Sequence, residues 1–254
     1  MTDLPLLHVA LLTLAAFAAG TVDAVAGGGG LVTVPALLAA GLPPHVALGT
    51  NKGQAVFGSG AALFRFARAG MVDGARARVA FPAGFAGSLL GAALVLLVHP
   101  SLLRPVVLAL LVAVGFFTAF RPRIRPRPVS TARAPLGAAA IALVIGAYDG
   151  FFGPGTGTFL IIAFAAVLGD GMARASGEAK LVNFASNLAG VAVFASRGVI
   201  LWRVALPMAA AQFAGATLGA HLTVRHGDAF VRRVVLAVVL ALVLKVGRDL
   251  LAAG

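Results

Sequence analysis

The sequence predicts an all-α polytopic membrane protein: about eight transmembrane helices as two tandem four-helix repeats, each with a glycine- and proline-broken first segment. Three observations carry this reading. Hydrophobic residues make up 60% of the 254-residue chain and charged residues 11%, against about 25% charged in a soluble globular chain. Long uncharged runs recur at 4–22, 24–49, 81–103, 106–120, 136–147 and 205–223. Several reach the ~20 residues needed to cross a ~30 Å hydrocarbon core. The chain also matches itself at a period near 128 residues. A β-barrel would alternate in polarity over ~10-residue segments, and these runs are continuous.

The self-match orders the elements. "FAGSLLGA" at 85–92 returns as "FAGATLGA" at 213–220, and "RPVVLA" at 104–109 as "RRVVLA" at 232–237. "ALGTNK" at 47–52 matches "ASGEAK" at 175–180, which pairs Lys52 with Lys180. "GTVDAVAG" at 20–27 matches "GAYDGFFG" at 146–153, which pairs Asp23 with Asp149. Residues 1–120 form the first repeat, 121–135 a basic cytoplasmic linker and 136–254 the second repeat. Membrane segments fall near 5–40 (broken), 46–69, 79–98 and 103–120, then 136–168 (broken), 178–197, 203–222 and 230–250. The start, "MTDLPLLHV", carries an acid where a cleavable leader has a basic region, so no cleavage is expected.

Charge distribution sets the expected topology. The net charge of +12 resides in arginines between apolar runs, including five in the proline-rich 121–135 stretch. That pattern is a topology signal rather than a nucleic-acid footprint. With four crossings per half, which the charge bias favours, the 65–78 loop, the linker, the 197–203 turn and both termini lie inside. The loops around 104, 170–178 and 225–233 then lie outside. Five crossings per half would invert the second repeat and move the 197–203 arginines outside. The first run of each half is too long for one crossing, so a full helix, a break and a half-length piece are expected.

The break is the first functional signal. "AVAGGGGLVTVP" at 24–35 and "GFFGPGTGT" at 150–158 occupy matching places. Glycine and proline unwind helices, and unwound backbone survives at membrane depth only where protein buries it or a watery cavity faces it. Paired breaks in two halves point to a transporter's substrate site. Backbone N–H groups at Gly28, Gly29 and Gly155 would face an anion there. Close helix packing is the competing explanation for the glycines, but it leaves the acid before each break unexplained. No phosphate-loop or dinucleotide fingerprint follows either run.

Intramembrane charge is the second signal, because each such group is a functional candidate. Asp23, Lys52, Asp149 and Lys180 hold matching places, and amides surround the lysines: Asn51 and Gln54, then Asn183 and Asn187. Two lysines with amide donors suit a small oxyanion. Structural ion pairs Asp23–Lys52 and Asp149–Lys180 are the alternative, and the two readings can coexist. Glu178 has Thr50 as its counterpart, and is either a proton-coupling acid or a solvated residue at an outer helix entrance. The "GSLLG" and "GATLG" pairs at 87–91 and 215–219 are packing motifs.

Other chemistry finds no footing. The chain has no cysteine, and its five histidines show no metal-ligand spacing. No catalytic constellation is present, so neither enzyme activity, metal nor cofactor is expected.

These same residues carry a family resemblance. The stretch from "GTVDAVAGGGGLVTVP" through "GLPPHVALGTNKGQ" to "FARAGMVD", with "GAYDGFFGPGTGTFLI", "EAKLVNFASNLAG" and "GVILWRVALPM", resembles the TauE/SafE family of membrane transporters, the sulfite exporters. The resemblance spans nearly the whole chain. It implies a duplicated four-helix unit and passage of sulfite, sulfonates or related organic anions.

The combined expectation is a secondary transporter of a small anion in the cytoplasmic (inner) membrane, coupled to protons. Lys52, Lys180, Asn51, Gln54, Asn183 and Asn187 bind substrate with Gly28, Gly29 and Gly155, while Asp23, Asp149 and Glu178 move protons or gate. The expected partners are the anion and the bilayer, with no nucleic acid; a homo-oligomer is left open. The alternatives are a passive anion channel and a non-transporting scaffold or assembly protein.

Overall fold

The computed structural model describes residues 4–120 and 134–252. Among them nine helices follow in order: α1 Leu6–Ala26, α2 Gly30–Ala39, α3 Pro44–Arg68, α4 Gly74–Leu97, α5 Pro100–Phe120, α6 Ala134–Phe151, α7 Thr156–Leu168, α8 Met172–Ser196 and α9 Trp202–Ala252. No strand occurs among the described residues. Helices α1, α4, α5, α6 and α8 are long and apolar enough to cross a membrane. Helix α9 bends at Gly227, where φ is 61° and ψ −155°, and its legs are 202–226 and 228–252.

Local chemistry sets the ends. Gly27 and Gly28 take φ of 74° and 91°, and Gly153 and Gly155 take 94° and 86°. Side chains with a Cβ rarely tolerate such angles, so α1 and α6 stop at these glycines. Pro43–Pro44 opens α3, where a missing N–H costs nothing. Asp73 caps α4 by accepting from the N–H groups of Ala75 and Arg76 at 2.9 and 3.0 Å.

Packing then joins the halves. A Cβ on Gly215 or Gly219 would sit 2.1 Å from the Phe17 carbonyl oxygen or 2.3 Å from that of Thr21, so α9 lies backbone-to-backbone on α1. Gly87 and Gly91 bring α4 equally close to the Leu143 and Ala147 carbonyls of α6. The two glycine pairs read as packing motifs are packing motifs, and each ties a helix of one half to a helix of the other. Without bulk hydrophobic driving force in lipid, such close approach supplies the association energy.

The contacts also fix helix directions. Phe17 meets Gly215 and Thr21 meets Gly219, so α1 is parallel to the first leg of α9. Gly84 meets Val182 on α8 and Gly87 meets Leu143 on α6, so α4, α6 and α8 are parallel. Helix α3 is antiparallel to α8, with Gly49 at Val199, Gly60 at Phe184 and Met71 at Gly177. The sequence-matched helices α3 and α8 therefore point in opposite directions, as do α1 and α6.

Each broken segment folds as a hairpin. Leu37 and Leu42 after α2 share one cluster with Leu12 and Ala16 of α1, and Leu168 at the end of α7 packs on Gly137 near the start of α6. The hairpin tips meet inside the protein: a Cβ on Gly27 would fall 2.1 Å from the Thr158 nitrogen, and Thr158 Oγ1 donates to the Ala26 carbonyl at 3.1 Å.

This arrangement corrects the expected loop topology. Arg76 Nη1 lies 2.6 Å from Asp170 Oδ2, and the Ala173 N–H donates to Asp228 at 2.8 Å. The 65–78, 170–178 and 225–233 regions therefore share one face. The 197–203 turn lies at the opposite face, where the Leu201 N–H donates to Thr50 near the start of α3. The physical reason is the hairpin: it returns the chain to the face it came from, so each half exits opposite its entry and the second half is inverted. The expected linker falls mostly on residues 121–133, which lie outside the described residues. It connects the end of α5 and the start of α6, both on the face of Arg76.

The chain has no native cysteine, so single-cysteine labelling reads this topology directly. Cysteines at Ala69 and Arg174, both exposed, should react with an impermeant maleimide from one side of the membrane, and a cysteine at exposed Ser196 from the other. Labelling of 69 and 196 from the same side would refute the inverted arrangement.

Candidate functional site

The two hairpin tips, α3 and α8 together place four charges at the centre. Lys52 on α3 lies 2.8 Å from Asp149 Oδ1 on α6, and Lys180 on α8 lies 2.7 Å from Asp23 Oδ2 on α1. The pairing expected within each half is exchanged: every pair joins one half to the other. Inverted packing is the cause, since it lays α3 against the hairpin of the second half and α8 against that of the first.

The amides divide between the pairs. Lys180 also donates to Asn183 Oδ1 at 3.2 Å, and Lys52 crosses to Asn187 Oδ1 at 3.1 Å. Asn187 in turn donates to Ser59 at 3.2 Å. The Asn51 Oδ1 is turned to other partners than the lysines, accepting from Thr33 at 2.6 Å and from Gln54 Nε2 at 3.0 Å.

The two carboxylates are not equivalent. Asp149 accepts from Lys52, from Thr156 Oγ1 at 2.9 Å, from Asn183 Nδ2 at 3.4 Å and from Ser186. Asp23 accepts from Lys180 and from the Gly29 N–H at 3.1 Å. Its side chain is 14% exposed against 2% for Asp149, so Asp23 is the carboxylate with fewer donors and more open space.

A polar cavity of about 20 Å³ lies among these groups, lined by Asp23, Gly28, Asn51, Gln54, Asp149, Gly155, Asn183, Asn187 and Gln212 among others. A water needs about 10–15 Å³, so the cavity has room for water and none for a larger anion. Helices α2 and α7 begin at the cavity, and their N-terminal dipole ends favour negative charge there. Gly29 does not offer a free donor, because its N–H is spent on Asp23. A larger cavity of 450 Å³ beside Pro35, Leu38 and Leu108 is apolar apart from Arg104 and touches neither ion pair.

Glu178 does not sit at a solvated rim: it is 0% exposed. Its Oε1 accepts from the Asp73 N–H at 2.9 Å, and Arg76 lies 3.9 Å away. Thr50 does the same for the Leu201 N–H at 3.0 Å. The acid and the hydroxyl therefore hold equivalent loops onto the core from opposite faces. Around Glu178 the loops form a charged cluster in which Arg174 reaches Asp73 at 3.3 Å. The backbone N–H of Arg76 holds the Asp73 carboxyl below the usual carboxylate range, whereas burial pushes that of Asp170 up against the pull of Arg76.

Sequence reasoning missed three groups at this site: Thr33, Thr156 and Gln212. Gln212 had a signal, as a lone amide in the uncharged run 205–223. Among the described residues, no group of three or more His, Cys, Asp or Glu side chains could hold a metal ion.

Broken helices meeting tip to tip around paired intramembrane charges define a multi-pass membrane transporter. The chain belongs to the sulfite exporter TauE/SafE family, whose model matches residues 12–246. It is similar to a probable membrane transporter protein of Sinorhizobium, 36% identical over 98% of this chain and 96% of that one. The probable membrane transporter YfcA of Escherichia coli K12 is 37% identical over 92% and 87%, and a Haemophilus influenzae relative of the same description is 38% identical over 89% of each. No solved structure matches the chain.

Removing one member of a buried pair leaves an uncompensated charge, at a cost of about 3–5 kcal/mol. Asp149→Asn should therefore lower the thermal midpoint of the purified protein markedly, and adding Lys52→Met should restore most of it. A double variant no more stable than Asp149→Asn would show that the pair does not bear on stability.

Proposed function

We propose that the chain is a secondary carrier of a small anion, sulfite or a related sulfur-containing organic acid, coupled to protons in the cytoplasmic membrane. The observation that carries this reading is the exchanged, charge-balanced centre: two lysines and two aspartates, each pair joining the two halves. An anion that displaces a carboxylate from its lysine adds negative charge to a site that was neutral. Protonation of the displaced carboxyl restores neutrality, which couples one proton to each unit of anion charge. Asp23 is the carboxylate to be displaced first, since fewer donors hold it.

Displacement also has a mechanical consequence. The ion pairs are bonds between halves, so exchanging an intramolecular carboxylate for a substrate removes a tie that resists their relative movement. Substrate binding thus licenses the rocking that alternating access requires. Lys52, Lys180, Asn183 and Asn187 supply donors, Gly28 and Gly155 the unwound backbone, and Glu178 latches one loop. Arg65, Arg68, Arg76, Arg78, Arg174 and Arg225 share one face with the ends of the basic linker, against Arg104, Arg197 and Arg203 at the other. The positive-inside bias makes the first face cytoplasmic.

Radiolabelled sulfite flux into proteoliposomes, with and without an imposed pH gradient, tests the reading. Saturable, gradient-responsive flux is expected, falling to the empty-liposome background in Lys52→Met/Lys180→Met. Absent flux from folded wild-type protein would discard sulfite, and flux that neither saturates nor responds to the gradient would indicate a passive channel. Glu178→Gln keeps an acceptor for the Asp73 N–H, so it should fold and transport. A changed pH dependence in that variant would assign Glu178 to proton coupling, and an unchanged one would leave it a latch.

A further inference from the structure

Two glutamines that the ion-pair chemistry does not use line the central cavity. Gln54 and Gln212 are buried, at 0% and 2% exposure, and both line the cavity between the hairpin tips. Among the described residues, neither Gln54 Oε1 nor Gln212 Oε1 accepts a hydrogen bond. The Gln54 amide is oriented by its neighbour: Nε2 donates to Asn51 Oδ1, an oxygen that also takes the Thr33 hydroxyl. In this hydrogen-bond pattern Nε2 is the engaged end of the amide and Oε1 the free one.

Gln212 is held in place by two glycines. A Cβ on Gly58 would lie 2.3 Å from Gln212 Cγ, and one on Gly20 would lie 2.6 Å from the Gln212 carbonyl oxygen. The residue one period earlier is Gly84, so only one half supplies this amide. The two lysines stand behind the carboxylates that line the cavity, and their donors are engaged with carboxylate and asparagine oxygens. A ligand made only of acceptor atoms can compete for those donors but leaves the two glutamine oxygens desolvated and unpaired, the condition by which a site rejects an analogue lacking a donor.

We propose that Gln54 and Gln212 make this site selective for anions that carry a hydrogen-bond donor of their own, a hydroxyl or a protonated oxygen. The inference rests on the anion-carrier reading above and names the substrate class of the same site. The lysines take the anionic oxygens and the two amide oxygens take the O–H. Hydrogen sulfite satisfies both requirements, whereas a fully deprotonated oxyanion satisfies one. Gln212 is the specificity-determining residue that distinguishes the second half from the first.

The test pairs two probes of nearly equal shape, 2-hydroxyethanesulfonate and 1-propanesulfonate, in which a methyl replaces the hydroxyl. Each is titrated as a competitor of radiolabelled sulfite uptake by the reconstituted full chain, and as a ligand raising the thermal midpoint of the purified protein. Wild type should prefer the hydroxylated sulfonate at least tenfold in both assays. Gln212→Met, of similar length with no acceptor oxygen, should bring the ratio toward one. Gly58→Ala, which displaces the Gln212 side chain, should do the same and serves if the first variant does not fold. Equal competition by the two sulfonates in wild type, or an unchanged ratio in a folded variant, overturns the proposal while flux leaves the carrier reading intact. A tenfold difference in thermal stabilisation without any sulfite flux upholds the selectivity and discards sulfite as the cargo. Stabilisation by neither probe, in a protein that also moves no sulfite, removes the selectivity and discards sulfite as the cargo.

Discussion

The structure depends on one constraint: four ionised groups lie within the membrane-spanning part of the chain, and a charge there needs a partner. Lys52 and Asp149 are almost completely buried, Lys180 is fully so, and Asp23 is the one that keeps some exposure. Each partner comes from the opposite half. The pairs can form only if the two halves interleave, so the electrostatic requirement and the interleaved packing reinforce each other. The glycine contacts of α4 with α6 and of α9 with α1 make the approach close enough for a lysine to reach across.

The same constraint explains why the helices break where they do. A continuous helix through Gly27–Gly29 would run into the second tip, which touches Gly27, and would leave the Gly29 N–H turned away from Asp23. With Gly27 and Gly28 at positive φ the chain reverses, and the Gly29 N–H turns back onto Asp23. The second hairpin reaches the same end by different chemistry, with the Thr156 hydroxyl on Asp149 in place of a backbone N–H. This substitution wraps Asp149 more tightly than Asp23, and it gives two sequence-related acids unequal freedom. The two carboxylates are therefore held by unequal sets of donors.

Membership of a transporter family and the geometry of the centre point the same way. Broken segments whose tips meet at the middle, with helix N-termini at the cavity between them, are the geometry of a transporter's substrate site. The latches at opposite faces, Glu178 on the Asp73 N–H and Thr50 on the Leu201 N–H, hold the loops that a moving half would have to release.

The sequence by itself determined the environment, the helical class, the place of both breaks and the identity of the four central charges. These are local or compositional properties: apolar run length, glycine and proline placement, and the cost of an ion in lipid are readable from the chain alone. It located Asn183 and Asn187 near the lysines because helical spacing is a local rule. Only the tertiary structure decided which lysine meets which aspartate, that Asn187 serves Lys52 rather than Lys180, and that Glu178 is buried beneath a loop instead of lying at a rim. It also decided that the second half is inverted, since a hairpin that turns back and a helix that crosses have nearly the same hydropathy. Gln212 joined the site for the same reason: its place depends on Gly20 and Gly58, on helices distant in sequence, and a contact made by two removed side chains leaves no periodic signal in the chain.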